Sequence, residues 1–131
     1  MPVHIKYADN KTTIRVIMEG EWTLPELREV FNETQEFIAS AQHPIAVIVD
    51  HRKSMKIPRS MMTEIRRMNQ TYHPNTQCII IVGGSALVAA LINTLNKVYG
   101  QTDEIPYFFV KDLDAAFALL EKQAAAEQRI V

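Results

Sequence analysis

The stretch that decides the fold is Gln77–Gly100, which reads QCIIIVGGSALVAALINTLNKVYG. Its apolar run at 78–82 is too short for a helix and rich in β-branched residues, so it predicts a strand buried on both faces of a sheet. The Gly-Gly pair that follows permits a tight turn, Ser85 is a good N-cap for the helical pattern, and Gly100 stands where a helix ends. The stretch therefore predicts one half of a β-α-β crossover.

The same strand-then-helix pattern occurs elsewhere in the chain, after two alternating segments that predict an antiparallel hairpin. Strands are predicted near 3–8, 13–19, 45–50, 77–82 and 107–110, and helices near 24–42, 58–72, 85–99 and 112–125. Strands separated by helices must be parallel. The order ββαβαβαβα thus predicts a single α/β domain over residues 1–131 with a mixed five-stranded sheet, and the alanine-rich tail 122–131 is expected to fray.

The predicted helices differ in surface chemistry. The helix over 24–42 is acidic on its outer face, and the helix over 58–72 is basic. The helix over 85–99 has an apolar surface wider than one stripe, so two of its faces should be covered. A second subunit is one candidate cover, and oppositely charged faces can steer subunits together, although they could equally pair within one chain. These features favour a homodimer.

Composition and charge exclude several classes of protein. The chain has 131 residues, enough for one domain whose core folds without disulfides or a metal. Its 14 basic and 15 acidic side chains are almost balanced, so bulk charge predicts neither a nucleic-acid partner nor a membrane surface. The N-terminus lacks the apolar segment of a signal peptide, and no apolar run approaches bilayer-spanning length, so we expect a cytoplasmic protein.

In this order of elements the chain resembles the STAS domain, the fold of anti-anti-sigma factors and of the cytoplasmic tails of sulfate transporters. The resemblance extends from Val3 to about Lys122, and it rests on the leading hairpin and on the segments VIMEGEWTLPEL, IAVIVD, CIIIVGG and YFFVKDLDAAFALLEK. It implies a SpoIIAA-like right-handed (βα) superhelix with sequential strand order, among the diverged bacterial SpoIIAA-like proteins. The flavodoxin-like class has the same pattern of elements and is the alternative.

One departure from that family concerns its phosphorylation switch. Anti-anti-sigma factors carry Asp-Ser-Ser-Gly at the start of the second helix and are phosphorylated on the first serine. Counting forward from Asp50, this segment falls on Pro58, Arg59, Ser60 and Met61. Arg59 occupies the acceptor position, and Ser60 alone keeps its residue type. We therefore expect no phosphosite here.

Two segments meet at the carboxyl ends of the predicted parallel strands, where such sheets bind ligands. One is the basic segment 51–57, read as a loop, and the other is the turn 83–85 at a helix N-terminus, whose N–H groups favour a phosphate or carboxylate. The candidate anion-binding residues are His51, Arg52, Lys53, Ser54, Lys56, Arg59, Gly83, Gly84 and Ser85. A solvated basic loop beside an ordinary turn explains the same residues, because the sequence has neither a Walker loop nor a Gly-x-Gly-x-x-Gly motif.

No catalytic constellation is evident. The four histidines lie on different predicted elements without metal-ligand spacing, and the single cysteine, Cys78, falls inside a strand as a buried core residue. Asp50 and His51 could act as an acid–base pair, but adjacent residues of a strand point to opposite faces. We therefore expect no catalytic residue, no metal and no cofactor.

The sequence favours a non-enzymatic STAS-like binding or regulatory module that acts on an unidentified protein partner through protein–protein contacts. The alternative is a small-molecule or anion-binding protein, or an enzyme, that uses segments 51–57 and 83–85. A deep pocket lined by Asp50, His51, Ser54, Gly84 and Ser85 would favour the alternative, whereas a flat or convex surface would favour the protein-binding role.

Overall fold

The chain forms one five-stranded sheet with helices packed on both of its faces. The computed structural model describes residues 3–7, 12–56, 61–83 and 107–130. The strands are β1 (Val3–Tyr7), β2 (Thr13–Glu21), β3 (Ile45–Lys56), β4 (Thr76–Val82) and β5 (Tyr107–Val110). The helices are α1 (Leu24–Ser40), α2 (Met61–Thr71) and α3 (Leu113–Ile130). The helix predicted over 85–99 lies outside the described residues.

The sheet order is β1-β2-β3-β4-β5. β1 pairs antiparallel with β2, and every other neighbouring pair is parallel. This confirms the predicted mixed sheet with a leading hairpin. It also places β4 between two parallel neighbours, as the apolar run at 78–82 predicts.

β4 carries the core on both of its faces. Ile79 and Ile81 belong to a cluster that includes Phe31 and Ile38 of α1. The alternate residues pack with Ala116 of α3; they are Cys78, Ile80 and Val82. Because each face of β4 is covered by a helix, every residue from Cys78 to Val82 is buried.

The segment 51–57 was predicted as a loop, and this prediction is wrong for most of its length. β3 continues as a strand to Lys56 because β2 also extends beyond its predicted end, and Glu21 of β2 pairs with Lys56. Residues 51–56 are mostly charged or polar, so they lack the alternation of apolar and polar residues by which strands are recognised. At the other end of the chain, α3 continues to Ile130, across the segment that we expected to fray.

The ends of α1 are fixed by side chains from two parts of the chain. At its start, the Thr23 hydroxyl accepts a hydrogen bond from the Glu26 backbone N–H and donates one to the Glu26 carboxylate at 2.8 Å. At its end, Asn75 Nδ2 lies 3.3 Å from the carbonyl oxygens of Ile38 and Ala41, and 2.8 Å from that of His43. Asn75 thus ties the end of α1 to the start of β4, at the end of the sheet opposite the candidate site.

Candidate functional site

A β-bulge shapes the end of the sheet at which β2, β3 and β4 finish, which we call the carboxyl edge. Ile17 of β2 pairs with Asp50, whereas Glu19 pairs with Lys53, so β3 contains one extra residue there. A second shift of the same kind follows between Ser54 and Lys56. Within the bulge the backbone N–H of Arg52 donates to Asp50 Oδ1 at 3.1 Å. An extra residue changes the direction of the side chains that follow it. The bulge therefore decides which groups of β3 reach each face.

On one face Asp50 is enclosed by two arginines. Asp50 is 3% exposed, and its carboxylate accepts hydrogen bonds from Arg52 Nε at 2.9 Å and Nη2 at 2.8 Å. Arg15 Nε lies 3.9 Å from Asp50 Oδ2. Burial alone would raise the pKa of Asp50, but the hydrogen bonds from Arg52 and the charge of Arg15 outweigh burial and hold this pKa below its ordinary value. Asp50 is therefore an ionised, fully engaged carboxylate.

On the opposite face His51 packs against the ring of Trp22, with ring centroids 6.0 Å apart. The indole Nε1 of Trp22 donates to Ser54 Oγ at 2.8 Å. His51 is 8% exposed, and its Nδ1 is buried without a hydrogen-bond partner among the described residues. Burial lowers the pKa of His51 to about 4, although the charge of Asp50 acts in the other direction. His51 is consequently neutral at neutral pH.

A second charged cluster joins α1 to α2. Glu64 is buried and accepts two hydrogen bonds from Arg28 at 3.0 Å each, and the Arg67 guanidinium donates to Glu64 Oε1 at 2.6 Å. The hydrogen bonds from Arg28 and Arg67 outweigh the effect of burial and lower the pKa of Glu64 to about 2. The two arginine side chains remain about half exposed.

Gly83 brings β4 to its end beside Arg52. Its φ is +70°, and a Cβ at this position would lie 2.7 Å from Arg52 Cγ, so both the backbone and the neighbouring side chain require glycine. Its N–H donates to the carbonyl of Val110 at 3.0 Å. One backbone donor of the predicted 83–85 anion site is therefore engaged in the sheet.

The predicted anion-binding residues that the structure describes lie at one edge but are divided between two faces. Arg52 is bonded to Asp50, while His51 and Ser54 contact Trp22 on the other face. Lys53 is exposed on β3. Four of the residues discussed for this edge lie outside the described residues: Arg59, Ser60, Gly84 and Ser85. The same applies to the side chain of Lys56, whose backbone belongs to β3.

The sequence did not reveal the Glu64 cluster. Arg28 and Glu64 are 36 residues apart, so no local motif links them. A signal existed in the helical pattern, because Glu64 stands three residues after Met61 and four before Met68 on the buried side of α2. A charged residue in such a position implies a partner of opposite charge.

Metal-binding clusters and membrane-spanning helices are both absent from the part of the chain that the structure describes. No group of three or more histidine, cysteine, aspartate or glutamate side chains is placed to hold a metal ion there. None of the described helices is long and apolar enough to cross a membrane.

Comparison with known proteins identifies the fold. No family model matches the chain, and no curated protein matches it. Among solved structures, it is similar to an uncharacterized protein of the DUF3478 family, with a SpoIIAA-like fold, from Shewanella loihica PV-4. The TM-score is 0.65 at 13% sequence identity, and the match covers 90% of this chain and 91% of the other. The sheet order and this likeness show that the chain has the SpoIIAA-like fold, as the resemblance to the STAS domain predicted.

Proposed function

We propose that the chain is a non-enzymatic binding or regulatory module that acts through protein–protein contacts at the carboxyl edge of its sheet. The observation that carries the proposal is the placement of the polar groups near this edge, some of which are bonded or buried within the chain while others are exposed. The carboxylates of Asp50 and Glu64 are bonded to arginines and His51 is buried, whereas Lys53 is exposed and the arginines that hold the two carboxylates are about half exposed. Glu21 of β2 is also exposed at this edge. The cytoplasmic location expected from the sequence stays part of this proposal.

The engaged groups are poorly suited to catalysis. A general base needs to reach the substrate and to have a pKa near the working pH. His51 is buried against Trp22 with a pKa of about 4, and the Asp50 carboxylate is bonded to Arg52. The hydroxyl of Ser54 accepts a hydrogen bond from Trp22 and faces away from Asp50. These contacts support a structural role for all three side chains.

The exposed cations suit contact with an acidic protein surface. Lys53 is exposed and forms no ion pair with any residue in the described ranges. Arg28, Arg52 and Arg67 are each about half exposed and held in place by a carboxylate. A guanidinium has five N–H donors, so each of these arginines retains donors for a second carboxylate. Fixed arginines also lose less side-chain entropy on binding.

Affinity capture from extracts of the native host tests the proposal. The wild type is compared with the double variant Lys53→Glu, Arg59→Glu and with a matched double variant, Lys6→Glu, Lys122→Glu, which reverses two charges away from the edge. We expect the wild type and the matched variant to capture the same protein, and the first variant to bind it about tenfold more weakly or worse. Equal capture by all three would contradict a binding site at this edge.

A second measurement distinguishes the alternative function. Isothermal titration with inorganic phosphate detects an anion site directly. Sub-millimolar binding that the Lys53→Glu, Arg59→Glu variant abolishes, together with no captured protein, would favour an anion-binding protein. We expect no such binding, because Arg52 is bonded to Asp50 and the Gly83 N–H is bonded to Val110.

A further inference from the structure

The hairpin of β1 and β2 has a polar face opposite the core that it shares with α1 and α2. Val3 and Ile14 belong to that core. Right-handed connections between successive parallel strands all lie on one face of a sheet, and α1 and α2 occupy this face. The alternate residues of the hairpin point to the opposite face, where α3 packs over β3, β4 and β5. On that face Lys6 is exposed and the Arg15 side chain is 28% exposed, so both cations reach solvent.

The register of the hairpin places these two like charges side by side. Lys6 pairs directly with Arg15 across the antiparallel strands, so the two side chains leave the same face as neighbours. The next pair on this face is His4 with Ile17, which supplies no carboxylate, and Glu19 lies 3.7 Å from His4. Like charges opposite each other destabilise a sheet. No described carboxylate forms an ion pair with Lys6 that would offset this repulsion.

Arg15 also has unused hydrogen-bond donors. Its Nε is buried and has no hydrogen-bond partner among the described residues. Asp50 Oδ2 lies 3.9 Å from this atom, beyond the reach of a hydrogen bond, and the Asp50 carboxylate is bonded to Arg52 instead. A guanidinium carries five N–H donors, and a purely structural arginine would use some of them within the chain. Unpaired donors and an unrelieved repulsion thus coincide at one pair of residues.

The charge of this pair selects the chemistry of a ligand. Because Arg52 neutralises Asp50, Lys6 and Arg15 leave two positive charges on this face. A phosphoryl group carries roughly two negative charges and three acceptor oxygens, whereas a carboxylate carries a single charge. A guanidinium binds two phosphate oxygens through parallel N–H donors, and an ammonium acts on a phosphate as a point charge. The pair therefore matches a phosphoryl group better than a carboxylate.

We infer that Lys6 and Arg15 form a binding site for a phosphoryl group, free or esterified on a small molecule. The bound group would accept hydrogen bonds from Arg15 and remove the repulsion between the two cations. The site goes beyond the proposed function and is independent of it, because Arg15 lies near the start of β2, whereas Lys53 pairs with Glu19 near the end of that strand.

Isothermal titration of the full chain with inorganic phosphate at low salt tests this site. We expect a dissociation constant of about 1 mM for the wild type. Acetate at the same ionic strength should bind at least about tenfold more weakly, because it carries a single charge. Lys6→Gln should weaken phosphate binding at least about fivefold. Lys122→Gln, which removes an exposed lysine of α3, is the matched control and should leave phosphate binding unchanged.

Thermal unfolding separates this site from a structural role of the lysine. Without phosphate, Lys6→Gln should unfold about 1–3 °C above the wild type, because the substitution removes the like-charge contact with Arg15. Lys122→Gln should unfold at the wild-type temperature. A lysine that serves the fold alone would give the opposite sign, so a lower unfolding temperature for Lys6→Gln would overturn the site.

The titration has further outcomes that decide the matter. The site would be overturned by absent phosphate binding, by equal binding in Lys6→Gln and the wild type, or by acetate bound as tightly as phosphate. Glycerol phosphate identifies the source of the group: binding as tight as that of phosphate supports an esterified ligand, and weaker binding supports the free anion. Loss of phosphate binding in the Lys53→Glu, Arg59→Glu variant, with retention in Lys6→Gln, would overturn the site in favour of the carboxyl edge. Loss in Lys6→Gln alone supports the site and leaves the protein-binding function to its own test.

Discussion

At the scale of single residues, His51 makes the stability of the fold depend on pH. Its pKa is about 4 in the folded chain against an ordinary value of 6.5. The unfolded chain therefore binds the proton more readily, so stability is intact above pH 6.5 and falls as the pH drops toward 4. At about 1.4 kcal/mol for each pKa unit, the free energy of unfolding should fall by about 2 kcal/mol between about pH 7 and about pH 5.

Urea unfolding at the two pH values checks this, with His51→Leu as the test variant. The substitution removes a buried polar ring whose Nδ1 has no described hydrogen-bond partner, so it should flatten the pH dependence at little cost near neutrality. His43→Leu is the matched control, because His43 is exposed. A pH dependence in His51→Leu as steep as that of His43→Leu would show that another group causes it.

Gly83 offers a second prediction at the residue scale. Gly83→Ala places a methyl group in a left-handed conformation and 2.7 Å from Arg52 Cγ, whereas Gly20→Ala has a similar φ of +58° with nothing within 4 Å. Both substitutions should lower the free energy of unfolding by about 1 kcal/mol, because alanine disfavours a left-handed backbone conformation. Gly83→Ala should lower it by about 1 kcal/mol more, because its methyl group displaces Arg52. Thermal unfolding measures the difference. Equal losses would mean that Arg52 moves aside freely.

At the scale of secondary-structure elements, Glu64 is expected to hold α1 to α2. Glu64→Gln removes the charge that Arg28 and Arg67 neutralise, and it should lower the free energy of unfolding by about 1–3 kcal/mol. Glu29→Gln, on the exposed surface of α1, is the matched control and should change little. Urea unfolding at neutral pH makes the comparison. Similar values for the two variants would show that the helices are held by apolar packing alone.

The same elements show what could be predicted from the sequence and what could not. β4 and the apolar faces of the helices follow from hydrophobic periodicity, which is a property of neighbouring residues. The extension of β3 to Lys56 depends instead on pairing with Glu21 of β2, and the role of Glu64 depends on Arg28. Contacts between such distant residues leave no local pattern. The sequence indicated a basic segment after residue 50, but neither its strand structure nor the division of its described residues between two faces was predicted.

At the scale of the whole molecule, we expect the chain to associate with itself. The motivation is the apolar surface of the helix predicted over 85–99, which needs a second cover. Sedimentation at about micromolar concentration should show a dimer, in the range where specific interfaces of ordinary size are stable. A clean monomer would remove the hypothesis.

The absence of a phosphorylation switch is a further prediction for the molecule as a binding module. Arg59 occupies the family's acceptor position, and Ser60 follows a proline and an arginine rather than an aspartate. Ser60→Ala and Ser60→Asp should therefore bind the captured partner as well as the wild type does. Phosphate on Ser60 in protein from the native host, with an altered affinity for the partner, would show that a switch has been retained.

The affinity of the captured partner for the Lys53→Glu, Arg59→Glu variant, measured by titration calorimetry, tests the central claim most directly. Reversal of these two charges should place repulsive charges opposite an acidic partner. We predict a dissociation constant at least about tenfold higher than that of the wild type, with unchanged affinity for the Lys6→Glu, Lys122→Glu control. An unchanged dissociation constant in the edge variant would contradict the claim that this edge is the binding surface.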